Sequence, residues 1–271
     1  MSHERYWNWY HQVDENLTYS DAVDAYHELL TNAVRRCLAS GTAILPISGG
    51  LDSRSIAAVA DNTRLVQSYS YGYTNDSIET RIARQVAEAC GFKFKFTKHV
   101  IGPYLFNRIE EITSALHGCQ DITQARQMSV NQWVSERADV ILTGLMGDLW
   151  CDQMGLASSP TEDVVGSVMK KYTKRGHQHL IAGMLGGGGQ VDNVSEYLVD
   201  QIKSGLYHLE HINDLDFRLK ALKASQWVFR WSNASLRGFE LGAIPRIPYY
   251  DIDLVDFFCR LPTNFVQDRR I

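Results

Sequence analysis

The feature that most constrains the fold of this chain is a glycine loop between a short apolar run and a helical pattern. The run Ala43–Ile47 is too short for a helix and stops at two glycines, so it predicts a buried strand. Helical spacing of apolar residues resumes from Ser53 to Ala60. Glycines let a backbone approach an anion closely, and the first turn of a helix offers unpaired N–H groups. The order of strand, loop and helix therefore predicts an anion site in an α/β fold. The loop consists of Ser48, Gly49, Gly50, Leu51, Asp52 and Ser53.

Asp52 indicates which kind of anion site this is. A carboxylate beside a bound phosphate would repel it unless a divalent cation lay between the two charges. The loop therefore predicts Mg²⁺ together with a phosphate-bearing ligand, and the hydroxyls of Ser48 and Ser53 add hydrogen-bond donors. The simpler alternative is a glycine turn in which Asp52 and Ser53 cap the following helix.

Strand-like and helix-like segments alternate through the first half of the chain. The strand-like runs are short and apolar, and the segments between them carry apolar residues at helical spacing. This alternation predicts a parallel sheet flanked by helices. The strands are predicted at 43–47, 65–71, 92–97 and 140–143, and the helices at 21–38, 53–60, 76–90, 104–116 and 124–137.

Beyond Cys151 the pattern becomes mostly helical, with segments predicted at 163–172, 194–202 and 215–232. A four-glycine run at 186–189 has no strand before it to fix its backbone, so it predicts a mobile surface loop rather than a phosphate cradle. Residues 1–150 are thus predicted to form an α/β part and residues 151–271 a helical acceptor or lid part of one domain.

Composition and charge restrict the partners. The net charge is −4 with scattered basic residues, which argues against nucleic acid and anionic membranes and favours small molecules. The five cysteines form no CxxC pair, so we expect neither a disulfide framework nor a cysteine zinc site. No apolar run reaches the roughly eighteen residues of a membrane span, and the start does not resemble a signal peptide. These features predict a cytoplasmic protein.

The loop differs from the common nucleotide motifs, because the chain contains neither GxxxxGK[ST] nor GxGxxG. It resembles the SGGxDS loop (PP-loop) of the N-type ATP pyrophosphatases, which cleave ATP between its α and β phosphates. The resemblance implies an adenine nucleotide alpha hydrolase-like fold, ATP and Mg²⁺ as cofactors, and pyrophosphate bound in the loop.

Two further segments resemble the branch of this family that contains asparagine synthetase and β-lactam synthetase. The segment 143–149 resembles SGxGxDE, and the segment 246–251 resembles R-x-P-[FY]-x-D, followed by a Leu-Pro pair at 261–262. The resemblance implies that Asp148 joins Asp52 as a magnesium ligand and that Arg246 acts with them in catalysis. It also implies that Tyr71, backbone near Pro46, Thr143 and Gly144 line the nucleotide.

The chain departs from that branch at several positions. Leu145 stands where the branch usually has Glu or Tyr, and Leu149 replaces a Glu. A lysine downstream of the Leu-Pro pair is not found, since Lys223 is the last lysine. Glu79 matches an acidic position of the branch, but a solvated helix residue is the simpler interpretation. Residue 2 is Ser2 and not the cysteine nucleophile of a glutaminase domain, so we expect no glutamine hydrolysis by this chain.

These observations predict an amide-forming synthetase that adenylates a carboxylate with ATP and transfers the acyl group to ammonia or an amine. A separate amidotransferase could supply ammonia, and the chain could form a homodimer. One alternative is a degenerate nucleotide-binding relative without synthetase activity, for which Leu145, Leu149 and the missing lysine argue. Another is a different PP-loop enzyme, such as an NAD synthetase-like or tRNA-modifying protein.

Overall fold

The computed structural model contains a five-stranded parallel sheet, which confirms the predicted fold class. It describes residues 4, 6–39, 41–60, 65–72, 77–98, 107–117, 122–155, 163–173, 179, 183 and 194–271. The strands in these ranges are β1 (Ala43–Pro46), β2 (Leu65–Gly72), β3 (Phe94–Lys98), β4 (Val140–Leu142) and β5 (Ile244–Arg246). They lie in the order β3-β2-β1-β4-β5, and every neighbouring pair is parallel.

Helices account for most of the remaining described residues. The α-helices are α1 (Tyr19–Cys37), α2 (Leu51–Val59), α3 (Ile78–Ala89), α4 (Ile109–Leu116), α5 (Asn131–Ser135), α6 (Gly147–Trp150), α7 (Val164–Tyr172), α8 (Val194–Tyr207), α9 (Leu215–Leu222), α10 (Asn233–Glu240) and α11 (Ile252–Phe258). A π-helix (Lys223–Ser232) joins α9 to α10 without a break. Short 3₁₀-helices lie at Ile122–Ser129, Pro248–Tyr250 and Thr263–Arg269.

The sheet is buried on both faces. Successive side chains of β1 and β4 point to opposite faces of the sheet, and those on each face are apolar and almost all buried. Leu45 and Leu142 belong to the larger hydrophobic cluster, which also contains residues of α1, α2 and α11. Ile44 and Ile141 point to the other face and join a second cluster with Val134. Continuous apolar strands of this kind are typical of parallel sheets covered by helices on both faces.

Pro46, an unusual residue for a central strand, is tolerated because of where it stands in β1. The backbone N–H of Ile47 donates to the carbonyl of Tyr69 on β2 at 2.8 Å. Successive N–H groups of a strand point to opposite neighbours, so an N–H at Pro46 would point towards β4. The pairing of β1 with β4 covers only Ala43 and Ile44, so the missing donor breaks no ladder hydrogen bond.

Most predicted elements agree with the structure, and the differences that bear on the site are the following. The predicted helix 124–137 is a 3₁₀-helix followed by the short α5. The predicted segment 215–232 changes from α to π winding at Lys223 and continues to Glu240. The strand β5 was not predicted, and it adds residues of the second half of the chain to the sheet.

Two predictions fall on residues outside the described ranges. They are the four-glycine loop at 186–189 and the start of the helix predicted at 104–116. The division of the domain at residue 150 stays a prediction. Among the residues that the structure describes, no helix combines the length and apolar character that a membrane crossing requires.

Candidate functional site

A cavity of about 460 Å³ lies beyond the carboxyl ends of β1, β2 and β4. The chain runs outward in opposite directions from β1 to β2 and from β4 to β5, so this is the topological switch point at which open α/β sheets bind ligands. Its lining contains most of the residues predicted for the site. The described lining residues are Pro46, Ile47, Ser48, Asp52, Ser53, Tyr69, Ser70, Tyr71, Glu79, Thr143, Gly144, Leu145, Met146, Asp148, Lys223, Trp227, Trp231, Ser232, Ser235 and Phe239.

The two serines of the glycine loop fix its shape. The Ser53 hydroxyl accepts from the backbone N–H of Ser48 at 3.1 Å, and the Ser48 hydroxyl accepts from the N–H of Gly50 at 3.1 Å. The two hydroxyl oxygens lie 3.3 Å apart. Gly50 is the N-cap of α2, and no side chain caps this helix. The first turn of α2 therefore presents N–H groups in the way that anion sites at helix N-termini do.

Three glycines around the loop stand where a side chain would collide. A Cβ on Gly49 would lie 3.2 Å from the backbone of Glu79, and one on Gly144 would lie 3.1 Å from the nitrogen of Ser53. A Cβ on Gly147 would lie only 2.5 Å from the carboxyl carbon of Asp52. The loop, the turn after β4 and the start of α3 therefore pack backbone to backbone around the cavity. Glu79 was expected as a solvated helix residue, and it is exposed, but it also lines the cavity.

Asp52 and Asp148 come together at the mouth of this cavity. Burial raises the pKa of the Asp52 carboxyl, and the negative charge of Asp148 raises it further. The guanidinium of Arg269 and a hydrogen bond from the backbone N–H of Asp148 act in the opposite direction on this pKa. A carboxylate that is disfavoured by burial and by a like charge gains most from a cation placed between the pair.

Lys223, at the start of the π-helix, brings a cation from the cavity lining to Asp148. Its Nζ lies 3.6 Å from Oδ2 of Asp148, and its side chain is 22% exposed against 53% for Asp148. Three residues earlier, Lys220 points into the core and pairs with Asp216 at 3.3 Å. The two lysines of one continuous helix therefore have different surroundings, and of the described lysines and arginines only Lys223 lines the cavity.

Tyr249 connects the Arg246–Asp251 segment to the loop. Its hydroxyl donates to the backbone carbonyl of Asp52 at 3.1 Å, and its own carbonyl accepts from the indole N–H of Trp150 at 3.1 Å. Asp251 pairs with Arg36 of α1 through two hydrogen bonds of 2.7 and 2.5 Å. The segment thus holds α1 and the first turn of α2 in place.

Arg246 is not brought to the cavity. It ends β5 as an exposed residue, and its charge acts on Cys37 of α1. Its predicted catalytic role therefore has no support from its position. Gly49, Gly50 and Leu51 also lie outside the lining, although they belong to the loop that shapes it.

The segment after β4 carries the departures from the family pattern. Leu145 lines the cavity, whereas Leu149 is buried in the large hydrophobic cluster and takes no part in the site. Met146 occupies the position of the second glycine of SGxGxDE and has φ of 76°. A side chain in this left-handed region costs roughly 1 to 2 kcal/mol, so the turn keeps the backbone shape of the glycine pattern at an energetic cost.

The wall opposite the sheet was missed by sequence reasoning. Along the helix from Lys223 to Phe239, one face contributes six residues to the cavity. Trp227 and Trp231 form the middle of this wall, with ring centroids 5.4 Å apart and planes at 33°. The sequence predicted only a helical segment at 215–232, and no local signal distinguishes a cavity wall from a core.

The residues present fit a nucleotide and its magnesium ion. Among the described residues, no group of three or more His, Cys, Asp or Glu side chains could hold a metal by itself. Mg²⁺ is commonly bound by one or two carboxylates together with substrate phosphates, which matches the pair Asp52 and Asp148 beside a phosphate cradle. The buried hydroxyl of Thr143, in the cavity lining, lacks a hydrogen-bond partner within the described part of the chain. A ligand would supply one.

A parallel sheet with a glycine loop after its first strand and a second aspartate at the same edge defines the class of ATP-using PP-loop synthetases. The family described as asparagine synthase matches residues 25–160, which are 136 of the 271 residues. The chain belongs to the asparagine synthase family.

Other comparisons add little. No curated protein matches the chain. Among solved structures, it is similar to the NH3-dependent NAD synthetase from Campylobacter jejuni subsp. jejuni NCTC 11168 in complex with the nitrate ion. The identity is 12%, the similarity covers 82% of this chain and 97% of that chain, and the TM-score is 0.35. A similarity this weak carries no argument about substrate.

Proposed function

We propose that this protein is an amide-forming synthetase that uses ATP and Mg²⁺ to adenylate a carboxylic acid and passes the acyl group to ammonia or an amine. The observation that carries the proposal is the meeting of Asp52 and Asp148 beside the glycine loop, with Nζ of Lys223 3.6 Å from Asp148. Two carboxylates and one lysine around a phosphate cradle are suited to moving a pyrophosphate group.

The reaction has two balanced steps. A carboxylate oxygen attacks the α-phosphorus of ATP, the bond from this phosphorus to the oxygen that bridges it to the β-phosphorus breaks, and pyrophosphate leaves. Ammonia or an amine then attacks the acyl carbon, the bond to the phosphate oxygen breaks, and AMP leaves. The attacking nitrogen gives its proton to a base or to water. Mg²⁺, when bound, neutralises the phosphate charge.

Several residues of the cavity lining would take part in these two steps. Asp52 and Asp148 would hold the metal, and the N–H groups at the start of α2 would bind pyrophosphate oxygens. Tyr71 and the backbone near Pro46 would frame the adenine. The ammonium group of Lys223, which lies 3.6 Å from Oδ2 of Asp148, would stabilise the charge that develops on the phosphates.

Exchange of labelled pyrophosphate into ATP tests the proposal, because exchange requires reversible adenylation. We expect exchange that depends on both Mg²⁺ and an added carboxylic acid. Asp52→Asn and Asp148→Asn should abolish it, whereas Asp200→Asn, an exposed acid of α8, should leave it unchanged. Exchange that needs no acid, or that survives in Asp52→Asn, would refute the proposed role.

The second candidate function is nucleotide binding without turnover, which Leu145 favours. An acidic or phenolic group at this place in the cavity could handle a proton, with an effect of about 10²- to 10⁴-fold, and leucine cannot. If nucleotide binds but no acid of a broad panel supports exchange, this candidate is favoured. If Leu145→Glu then restores exchange, the leucine is the cause of the lost activity.

A further inference from the structure

We infer that Trp227 and Trp231 bind the body of the acid substrate, and that this acid is an aromatic monocarboxylic acid rather than aspartate. The inference rests on the proposed function, since it names the substrate class of the same cavity. It begins from the wall that the helical stretch from Lys223 to Phe239 contributes.

The two tryptophans are only partly buried, unlike the tryptophan that the fold uses in its core. Trp231 is 38% exposed, whereas Trp150 is 1% exposed. Leaving large aromatic surface in contact with water is unfavourable, so a partly open indole in a cavity is a surface suited to an apolar ligand. A π-helix carries both rings, and π-helical turns occur often at functional sites.

The order of residues along this helix places the indoles between two ends of the cavity. Lys223 lies at the end with Asp148, where phosphates would bind. Phe239 lies at the other end, packed against the cluster that contains Tyr69 and Tyr71, where the base would bind. The indoles therefore stand on the wall that faces the middle of a bound nucleotide. An acid must lie there for its carboxylate to reach the α-phosphorus.

Charge argues against aspartate as the acid. The described lining residues include three acidic side chains, Asp52, Glu79 and Asp148, and one cation, Lys223. ATP would bring further negative charge. Arg269, whose charge reaches the acidic pair from outside the lining, is already paired with Asp152 at 2.8 Å. Aspartate would add two carboxylates, of which only one is consumed by adenylation, and the second would find no unengaged cation among the described lining residues. A monocarboxylic acid avoids this charge, because its single carboxylate goes to the α-phosphorus.

The geometry of the indole pair indicates stacking on one outer face. The centroids are 5.4 Å apart, which is less than the roughly 7 Å needed to admit a third ring between them. An aromatic acid would therefore lie against an outer face of the pair, with its carboxylate directed towards Lys223 and the loop.

Equilibrium binding separates this inference from the proposed function. The protein is saturated with Mg²⁺ and α,β-methylene-ATP, which cannot lose pyrophosphate, and 3-phenylpropanoate, hexanoate and aspartate are titrated calorimetrically. We expect 3-phenylpropanoate to bind at least tenfold more tightly than the other two acids. Trp231→Ala and Trp227→Ala should each weaken it about tenfold, Trp231→Phe should retain most of the affinity, and Tyr207→Ala, an exposed tyrosine of α8, should have no effect.

The affinity for the nucleotide analogue is measured in the same variants. If Trp231→Ala weakens the analogue as much as the acid, the tryptophans bind the base and the inference is wrong. Tighter binding of aspartate, or no binding of any acid beside a bound analogue, also overturns it. If the analogue itself does not bind, the proposed function fails, and the titration is repeated without nucleotide. A tenfold loss in Trp231→Ala then still supports an aromatic subsite, and equal affinities overturn it.

Discussion

Asp52 is held in place by atoms that leave no room for an added methyl group. A Cβ on Gly147 would lie 2.5 Å from its carboxyl carbon and 2.8 Å from Oδ1. The same carboxylate receives a hydrogen bond from the backbone of Asp148. Backbone packing therefore sets the separation of the Asp52 and Asp148 carboxylates, and this packing requires glycine at position 147.

Gly147→Ala should displace the Asp52 carboxylate and weaken Mg²⁺-dependent binding of ATP by tenfold or more, with the helices intact. The backbone of Gly147 does not have a positive φ, so the effect comes from the contact with Asp52. Calorimetric titration with and without EDTA measures it. Gly238→Ala is the matched control, because a Cβ there meets only the Cβ of Gln127 at 3.8 Å. Equal affinities in the two variants would contradict the proposed position of the metal.

Lys223→Met should reduce pyrophosphate exchange by about 10²-fold while the dissociation constant of ATP and Mg²⁺ changes little. The reason is that a cation aimed at developing phosphate charge acts mainly in the transition state. Lys170→Met, an exposed lysine of α7, should behave as wild type. If Lys223→Met instead changes the Mg²⁺ affinity and leaves the exchange rate at saturation unaltered, Lys223 only positions Asp148.

At the scale of elements, the parts that could be predicted are those with a local signal. The loop before α2 and the apolar strands β1 and β4 show their character within a few residues. The strand β5 is only Ile244–Arg246, and it is a strand because β4 pairs with it. The tryptophan wall depends on a π-turn and on packing over the cavity, neither of which a local pattern specifies. The position of the tryptophan wall therefore depends on contacts between residues far apart in the sequence, which local sequence patterns do not reveal.

Tyr249→Phe should destabilise the protein by about 1 to 2 kcal/mol, because the hydroxyl donates to the carbonyl of Asp52 in a place closed to water. It should also weaken ATP binding, since this hydrogen bond fixes the first turn of α2. Urea unfolding and ATP titration measure the two effects. The neighbouring Tyr250→Phe is the control, because Tyr250 is 36% exposed. If both variants unfold at the same urea concentration as wild type, the Arg246–Asp251 segment does not support the loop.

At the scale of the whole molecule, residues on both sides of residue 150 share one hydrophobic cluster. It runs from Ala22 in α1 to Val266 near the end of the chain, and it contains Trp150 in α6. The sheet and the helical wall therefore rest on common packing. Buried thiols within this cluster, Cys151 and Cys259, report on its integrity.

These thiols should make the protein less stable above about pH 9. Burial raises the pKa of both Cys151 and Cys259 from 9.0 to about 12. Between these values the folded protein keeps two protons that the unfolded chain releases, so the free energy of unfolding falls as pH rises. Below pH 9 both states are protonated and the stability is complete. At about pH 11 each thiol should account for a loss of about 2 to 3 kcal/mol.

Urea unfolding from pH 7 to 11, with a reductant present, measures this dependence. Cys259→Ala should lower the stability somewhat at every pH, through the lost sulfur contacts, but should flatten the fall above pH 9. Cys151→Ala should do the same. Cys90→Ala is the control, because Cys90 is only partly buried and should change the slope less. Tyrosines that are buried in the folded protein also ionise in the unfolded chain near pH 11, which steepens the fall of the free energy of unfolding in all variants. The variants are therefore compared with one another at each pH. If Cys259→Ala and Cys151→Ala follow the wild-type slope, the cluster opens to water before the thiols ionise, and the sheet and the helical wall do not share a closed core.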